Sequence, residues 1–568
     1  MNASLASESR ATEPAGGARP FPAVVAEAIA AEGVTHVFGL MGAGTIQLSH
    51  HLTEAGIATH AARHESGAVG AADGYARVAH DVGVCAITWG PALTNALTAL
   101  TTARRGRTPL VLVAGDSSTM PPRRSPFAAG TQAIDQARLL AVLDIPVVRA
   151  YPGTAATDVA QAFAQARRLS APIVLLLPME YLDGHARSVT RPTARHSDAA
   201  PRSLPAADRD ELLAAARALS ESRRPVILAG RGAVEADAGE ALARLADRTG
   251  ALLATSLRGV GLFKGHRYDA GVAGGFSPPP VADLLGQADC VVGFGASMNL
   301  FTMKLGMLFP GATIVQCDVN ATALHAHSPA DVTVCGDAFE VAQALLEELG
   351  EGSPSREFRA MADEAGLGPA SLRFDYPDTS QPGALDPRAV CRRLDALLPR
   401  DRTVVTDVGQ FCQYPVESMT FDDPDSLLWM MDFGAVGAGL GAAIGAAIGR
   451  PDRTTVLFIG DGGFFMTMGE LDLAIRDRVP LLLVCLNDRA YGSELYHMRE
   501  MGVPLDGAFF ETPELDAIAR AMGADAQRIT TLEQLDALTH SFSSLDGPLF
   551  LDCIITQDFL PSPLRKVT

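Results

Sequence analysis

Short, wholly apolar runs punctuate the chain, and most of them end in glycine, aspartate or asparagine. In the first third they fall at 36–38, 83–88, 109–114 and 172–177, separated by alanine-rich stretches of helical length. Unbroken apolarity, in place of strict alternation, marks strands buried on both faces, and helical connections of this length predict a parallel sheet wrapped by helices. The pattern recurs twice. It reappears at 225–230 and 290–295 around a helix reaching Ala246, and again at 403–406, 454–459, 481–486 and 549–555. Two stretches, 188–207 and 351–387, lose the periodicity and gain Pro, Ser, Arg and Asp, which reads as interdomain linkage. The expected fold is therefore α/β, with three doubly wound parallel-sheet domains at 21–187, 208–350 and 388–568. Ligands of such sheets bind beyond the carboxyl ends of the strands.

Composition narrows the class of ligand. A chain of 568 residues suits three domains of ordinary size. The net charge of −19 disfavours nucleic acid and anionic membrane, whose phosphates repel an acidic surface, and favours a small molecule. The eight cysteines form no CxxC pair and mostly lie in apolar runs, as reduced core thiols do, so a reducing, cytoplasmic location is expected. Residues 1–20 have neither a basic start nor an apolar stretch and read as a disordered tail. The Gly/Ala-rich run 440–448 is far shorter than the ~20 residues of a membrane span.

One stretch carries specific chemistry. Gly460-Asp461-Gly462-Gly463 closes the run 454–459 and leads to a helix expected to begin near Phe464. Glycines and bare amides at a helix start suit a phosphate, yet Asp461 would repel one. A hard divalent cation such as Mg²⁺, bridging carboxylate and phosphate, resolves the conflict and requires a second oxygen donor from a neighbouring strand end. Asn487-Asp488 stands at the end of the next run, with 24 residues separating Gly462 from Asn487. Either half alone reads as an ordinary turn. Together, at consecutive strand tips, they point to a metal–diphosphate site.

This pair of motifs resembles the binding signature of thiamine diphosphate enzymes, with Asn-Asp in place of their usual Asn-Asn. The resemblance covers about residues 21–555 and is closest to the acetolactate synthase, benzaldehyde lyase and 2-oxo acid decarboxylase group. In order along the chain, Val37-Phe38-Gly39-Leu40-Met41-Gly42 resembles the opening turn, and Arg63-His64-Glu65 with Ala72-Asp73-Gly74-Tyr75-Ala76-Arg77 resembles the catalytic glutamate segment. Gly90-Pro91-Ala92-Leu93-Thr94-Asn95, Asp407-Val408-Gly409-Gln410 and Gly434-Ala435-Val436-Gly437 follow as a Gly-Pro loop, a diphosphate turn and a pyrimidine-holding segment. The resemblance implies pyrimidine-binding, central and diphosphate-binding domains. It also implies thiamine diphosphate and Mg²⁺ as cofactors, and an active site shared between subunits of a homodimer or homotetramer.

Roles carried over from the resemblance place Glu65 at the pyrimidine ring nitrogen. Asp461, Asp488 and the carbonyl of Ala490 are implied as metal ligands. Gly409, Gln410, Gly460, Gly462 and Gly463 surround the diphosphate, Gly434 and Val436 hold the pyrimidine, and Tyr491 completes the segment. Val436 replaces the usual Met, Leu or Ile prop, Phe411 stands where acetolactate synthases often carry His, and Gly44 where benzaldehyde lyase has an active-site His. Gln132 matches a glutamine near the substrate carbonyl. Glu494 matches an acid of some decarboxylases, and a solvent-facing glutamate in a first helical turn is an equally weighted reading. Paired His50 and His51 are expected on the surface. The central turn Gly293-Phe294-Gly295 is too weak a signal for a nucleotide, and FAD is not expected. The implied function is carboligation: a 2-oxo acid adds to the coenzyme, CO₂ leaves, and the acyl anion equivalent passes to a second carbonyl compound. The alternatives are an acyloin or diketone lyase or hydrolase, and a non-catalytic coenzyme-binding relative.

Overall fold

Every run read as a strand lies in a parallel sheet, and the described residues form three such sheets of six strands each, while the Gly/Ala-rich run 440–448 falls in the helix Ala438–Gly449. The computed structural model describes residues 18–117, 131–182, 185–187, 206–304, 306–351, 356–542 and 544–557. Two compact units result, one of residues 1–76 with 80–199 and one of residues 200–568 with 77–79.

In the first unit the sheet order is Ala58–Ala61, His36–Leu40, Gly83–Ile87, Leu110–Asp116, Pro172–Pro178, Val147–Arg149. Its central strands Leu110–Asp116 and Pro172–Pro178 are buried at every position, which is why their sequences show no alternation. Gly83 is glycine because the helix Glu65–Ala79 lies so close that a side chain there would strike the carbonyl of Ala72. Residues 18–20, expected in the tail, pair as an antiparallel strand with His185–Arg187.

The second unit holds two sheets. One runs Asp269–Val272, Leu252–Thr255, Pro225–Ala229, Cys290–Phe294, Thr313–Asp318, Val332–Cys335. The other runs Leu427–Trp429, Arg402–Thr406, Thr454–Gly460, Leu481–Asn487, Leu549–Ile554, Asp525–Ile529. Within the expected linker 351–387 lies a helix, Glu357–Glu364, whose Phe358 and Ala362 are fully buried in the core beside the first of these sheets. Most of the other expected linker, 188–207, lies outside the described residues. All eight cysteines are free thiols, seven of them buried. Among the described residues no helix is long and apolar enough to cross a membrane.

In each sheet the chain winds outward in both directions from a point between two adjacent strands, and the crevice there is where a doubly wound sheet receives a ligand. In the first unit it opens between His36–Leu40 and Gly83–Ile87. In the last sheet it opens between Arg402–Thr406 and Thr454–Gly460, at Asp407–Gln410 and Gly460–Gly463. In the middle sheet the corresponding turns, Gly230–Gly232 and Gly295–Ala296, press directly on one another: a Cβ on Gly232 would lie 2.7 Å from Gly295 Cα.

Candidate functional site

The last sheet gathers the acidic motif at its strand tips. Gly460 is extended (φ −84°) and caps a helix, Asp461–Thr467, that starts at Asp461 and not near Phe464. Gly462 and Gly463 thus lie inside the first turn and serve different ends. Around Gly462 nothing stands within 4 Å of a Cβ position, so the helix mouth is open above it. At Gly463 a side chain would collide with Asp407 Oδ2.

Asp461 is buried, and its Oδ2 accepts a hydrogen bond from Thr512 Oγ1 (3.4 Å). Asp488 sits just beyond Leu481–Asn487, where its Oδ1 accepts from the amide of Ala490 (3.1 Å). At Gly492 a Cβ would meet Asp488 Oδ2 and lie 2.6 Å from Gln410 Oε1, so both side chains would have to move aside for any other residue. Two oxygens from separate motifs therefore converge over Gly492. Burial pushes Asp461 up to about 6, with Asp552 adding repulsion. Burial and then the charge of Asp461 push Asp488 up to about 7. Two sheltered carboxylates, one of which feels the charge of the other, form a hard-oxygen donor set suited to Mg²⁺, so the residues fit that ion.

Asn487 points the other way. It is 1% exposed, and its Nδ2 donates to Asp552 Oδ1 (2.8 Å) in the core. The motif therefore divides its labour, the first residue anchoring the strand end and the second facing the tip. Beyond it, Ala490 bridges to Phe509, Tyr491 N donates to Ala508 O (2.8 Å), and the Tyr491 ring packs edge-on against Phe510. Gln557 Nε2 donates to the carbonyl of Asp488 (2.6 Å). Glu494 is exposed in the first turn of the helix Gly492–Met501.

The neighbouring turns are fixed by two residues that the motifs under-describe. Asp407 is fully buried and accepts from the amides of Gly437 (3.0 Å) and Gly439 (2.9 Å), shaping the loop that carries Gly434 and the exposed Val436. Burial raises its pKa to about 6 while backbone amides, including those two, oppose the rise. The Phe411 ring lies against both glycine turns, 2.5 Å from a Cβ built on Gly409 and 2.8 Å from one on Gly460.

In the first unit Glu65 opens the helix Glu65–Ala79, and its Oε2 accepts from Asn95 Nδ2 (3.0 Å). The cap is His64, whose Nδ1 accepts from Ser66 N (3.2 Å), so Glu65 is not needed for that task. Gln132 is exposed. Its neighbour Gln136 is fully buried, accepting from Gly90 N and donating to Gly115 O, both at 2.7 Å. His50 and His51 both pair with Glu54 on the helix Ile46–Glu54, and His50 is well exposed. No sequence signal singled out Gln136, Thr512 or Gln557. Asn95 lay inside a recognised motif.

Comparison with known proteins covers all three sheets. Residues 21–139 match the N-terminal TPP binding domain of thiamine pyrophosphate enzymes, 212–345 their central domain and 407–553 their C-terminal TPP binding domain. A probable 2-ketoarginine decarboxylase of Pseudomonas aeruginosa is 30% identical over 89% of this chain and 88% of its own. A sulfoacetaldehyde acetyltransferase of Castellaniella defragrans is 28% identical over 90% of this chain and 88% of its own. The acetolactate synthase large subunit of Corynebacterium glutamicum is 27% identical over 92% of this chain and 84% of its own.

Proposed function

The chain belongs to the thiamine pyrophosphate-dependent enzyme family, whose members cleave or form carbon–carbon bonds, and from that premise we propose an acetolactate synthase-like carboligase. Its donor is a 2-oxo acid, which loses CO₂, and its acceptor is a second carbonyl compound. The bound coenzyme supplies the electron sink for decarboxylation.

The chain's own groups divide the remaining work. Asp461, Asp488 and the Ala490 carbonyl hold Mg²⁺, and the amides at Gly462 and Gly463 with Gln410 and the glycines Gly409 and Gly460 receive the diphosphate. Gly434 and Val436 hold the pyrimidine, on a loop whose shape Asp407 sets. Glu65, whose Oε2 accepts from Asn95, would exchange a proton with the pyrimidine ring nitrogen of the bound coenzyme. Gln132 and Glu494 serve the substrate side, and Tyr491 the coenzyme. The exposed apolar side chains Val436, Met466 and Tyr491 support a second subunit covering this face, hence a homodimer or homotetramer.

The observation that carries catalysis, as against coenzyme binding alone, is the buried Glu65 with its capping role already filled by His64. The test is a panel of 2-oxo acids, each incubated with the coenzyme–Mg²⁺ holoenzyme with and without an aldehyde or 2-oxo acid acceptor. Acyloin or acetohydroxy acid together with CO₂ is expected. Aldehyde as the only product overturns carboligation, and no consumption of any 2-oxo acid overturns the donor class.

Asp488→Asn separates ligand from charge. The amide keeps an oxygen donor and removes the repulsion with Asp461, so the Kd for coenzyme in Mg²⁺ is expected to stay within about tenfold, which is ~1.4 kcal/mol. Titration by fluorescence quenching measures it. Complete loss of binding would remove Asp488 from the ligand set.

A further inference from the structure

We propose that Trp89 is a specificity-determining residue that restricts the substrate crevice to short 2-oxo acids of about pyruvate size. The proposal rests on the 2-oxo acid reading above. The sheet of the first unit reverses its order between His36–Leu40 and Gly83–Ile87, and Trp89 is the second residue beyond the latter strand, at the mouth of that crevice. Its indole occupies room left by two glycines on opposite sides. A Cβ on Gly44 would lie 2.7 Å from Trp89 Cε3 and 3.0 Å from Cζ3, and one on Gly115 would lie 3.2 Å from Cε3. The Met179 sulfur stands 3.2 Å from that same Gly115 position and closes the far side.

The ring is also held still. Before it, Thr88 Oγ1 accepts from Gly44 N (3.2 Å), tying the turn after the first strand to the base of the Trp89 loop. After it, Gly90 N donates to the buried Gln136, which reaches on to Gly115 O. Gly90 has a positive φ of 63°, and a side chain there would strike the Gln132 carbonyl, so the loop has no slack on that side. These bonds fix the loop backbone on both sides of Trp89, and the contacts with the Gly44 and Gly115 positions pack the indole itself. Trp89 is nevertheless only half-buried at this strand end. The same loop runs directly into the helix Pro91–Arg105, whose Asn95 holds Glu65, which places the ring on the edge of the sheet that carries the proton-handling carboxylate. A large, immobile ring at that place acts by excluded volume, where each methylene of misfit changes discrimination by roughly 10- to 200-fold.

The test uses holoenzyme with coenzyme and Mg²⁺ and a series of straight, branched and aromatic 2-oxo acids. In Trp89→Ala the ratio of kcat/KM for the branched or aromatic acids to that for pyruvate is expected to rise at least about tenfold, and Trp89→Phe is expected to fall between. A purely structural tryptophan would lower all substrates in the same proportion, and that result overturns the proposal. The chain has two tryptophans, so Trp429→Phe leaves Trp89 as the sole indole emitter and supplies a readout independent of folding in the alanine variant. Its emission is expected to change saturably with pyruvate, and an unchanged spectrum at saturating substrate overturns the proposal too. A wild-type holoenzyme inert towards the whole series overturns the functional reading itself, an outcome distinct from an active wild type whose selectivity Trp89→Ala leaves unmoved.

Discussion

Glu65→Gln is expected to lower kcat by about a hundredfold to ten-thousandfold, the range for removing a positioned acid–base group, with little change in fold or coenzyme affinity. The substitution is isosteric, and the amide oxygen can still accept from Asn95 Nδ2, so the contact at 3.0 Å survives. Helix capping survives as well, because His64 provides it. What disappears is the ability to exchange a proton. Steady-state rates on the best 2-oxo acid, beside thermal melts and coenzyme titration, separate the readings. Retained activity with a lowered Tm would assign Glu65 to structure alone.

Asp461→Ala is expected to abolish Mg²⁺-dependent coenzyme binding. Loss of a residue supporting a metal ligand typically costs 10- to 100-fold in affinity, so loss of a ligand should exceed about a hundredfold. The pH dependence provides a second measurement. Asp461 and Asp488 are pushed up to about 6 and about 7, above the ordinary aspartate value of 3.8. A carboxyl raised on folding contributes stability that is fully present below the unfolded value, near pH 4, and is lost as pH rises through 6 to 7. The metal-free protein is therefore expected to lose stability from this pair as pH rises from about 4 through about 7, while Mg²⁺, which needs both groups ionised, restores it. The rise in Tm on adding Mg²⁺ and coenzyme should be largest near pH 8 and vanish near pH 5. In Asp461→Ala, Asp488 loses its repulsive neighbour and the pH-dependent loss of the metal-free protein should shrink. An equal Mg²⁺-induced rise at both pH values would show that neither carboxylate binds the ion.

Most strands buried on both faces were readable from sequence, where a short apolar run is bounded by turn residues, although the wholly buried Leu252–Thr255 was not. The runs at 172–177 and 481–486 became Pro172–Pro178 and Leu481–Asn487. Edge strands were not readable. Ala58–Ala61 is mostly exposed and Asp525–Ile529 is exposed or half-buried over most of its length, so neither carries an apolar signature. The helix Glu357–Glu364 escaped notice because it buries only Phe358 and Ala362, too few positions to rise above the Ser- and Arg-rich sequence around it. At the site, residues presented by a local turn were legible, as Asp461 and Glu65 illustrate. Residues that act through the fold were not. Gln136 lies 46 positions from Gly90 and Thr512 lies 51 from Asp461, and no local pattern links such pairs.

The tie between Asp407 and the amides of Gly437 and Gly439 separates two properties that directed evolution usually finds entangled. The path of the loop is set from beneath by a buried carboxylate and two glycines, whereas Val436 is exposed and stands outside the buried core. Position 436 can accordingly be varied through Ala, Ile, Leu and Met in a library without disturbing the backbone that presents it. Reaction scope in such a library would be sampled independently of stability, with the constraint residing at position 407.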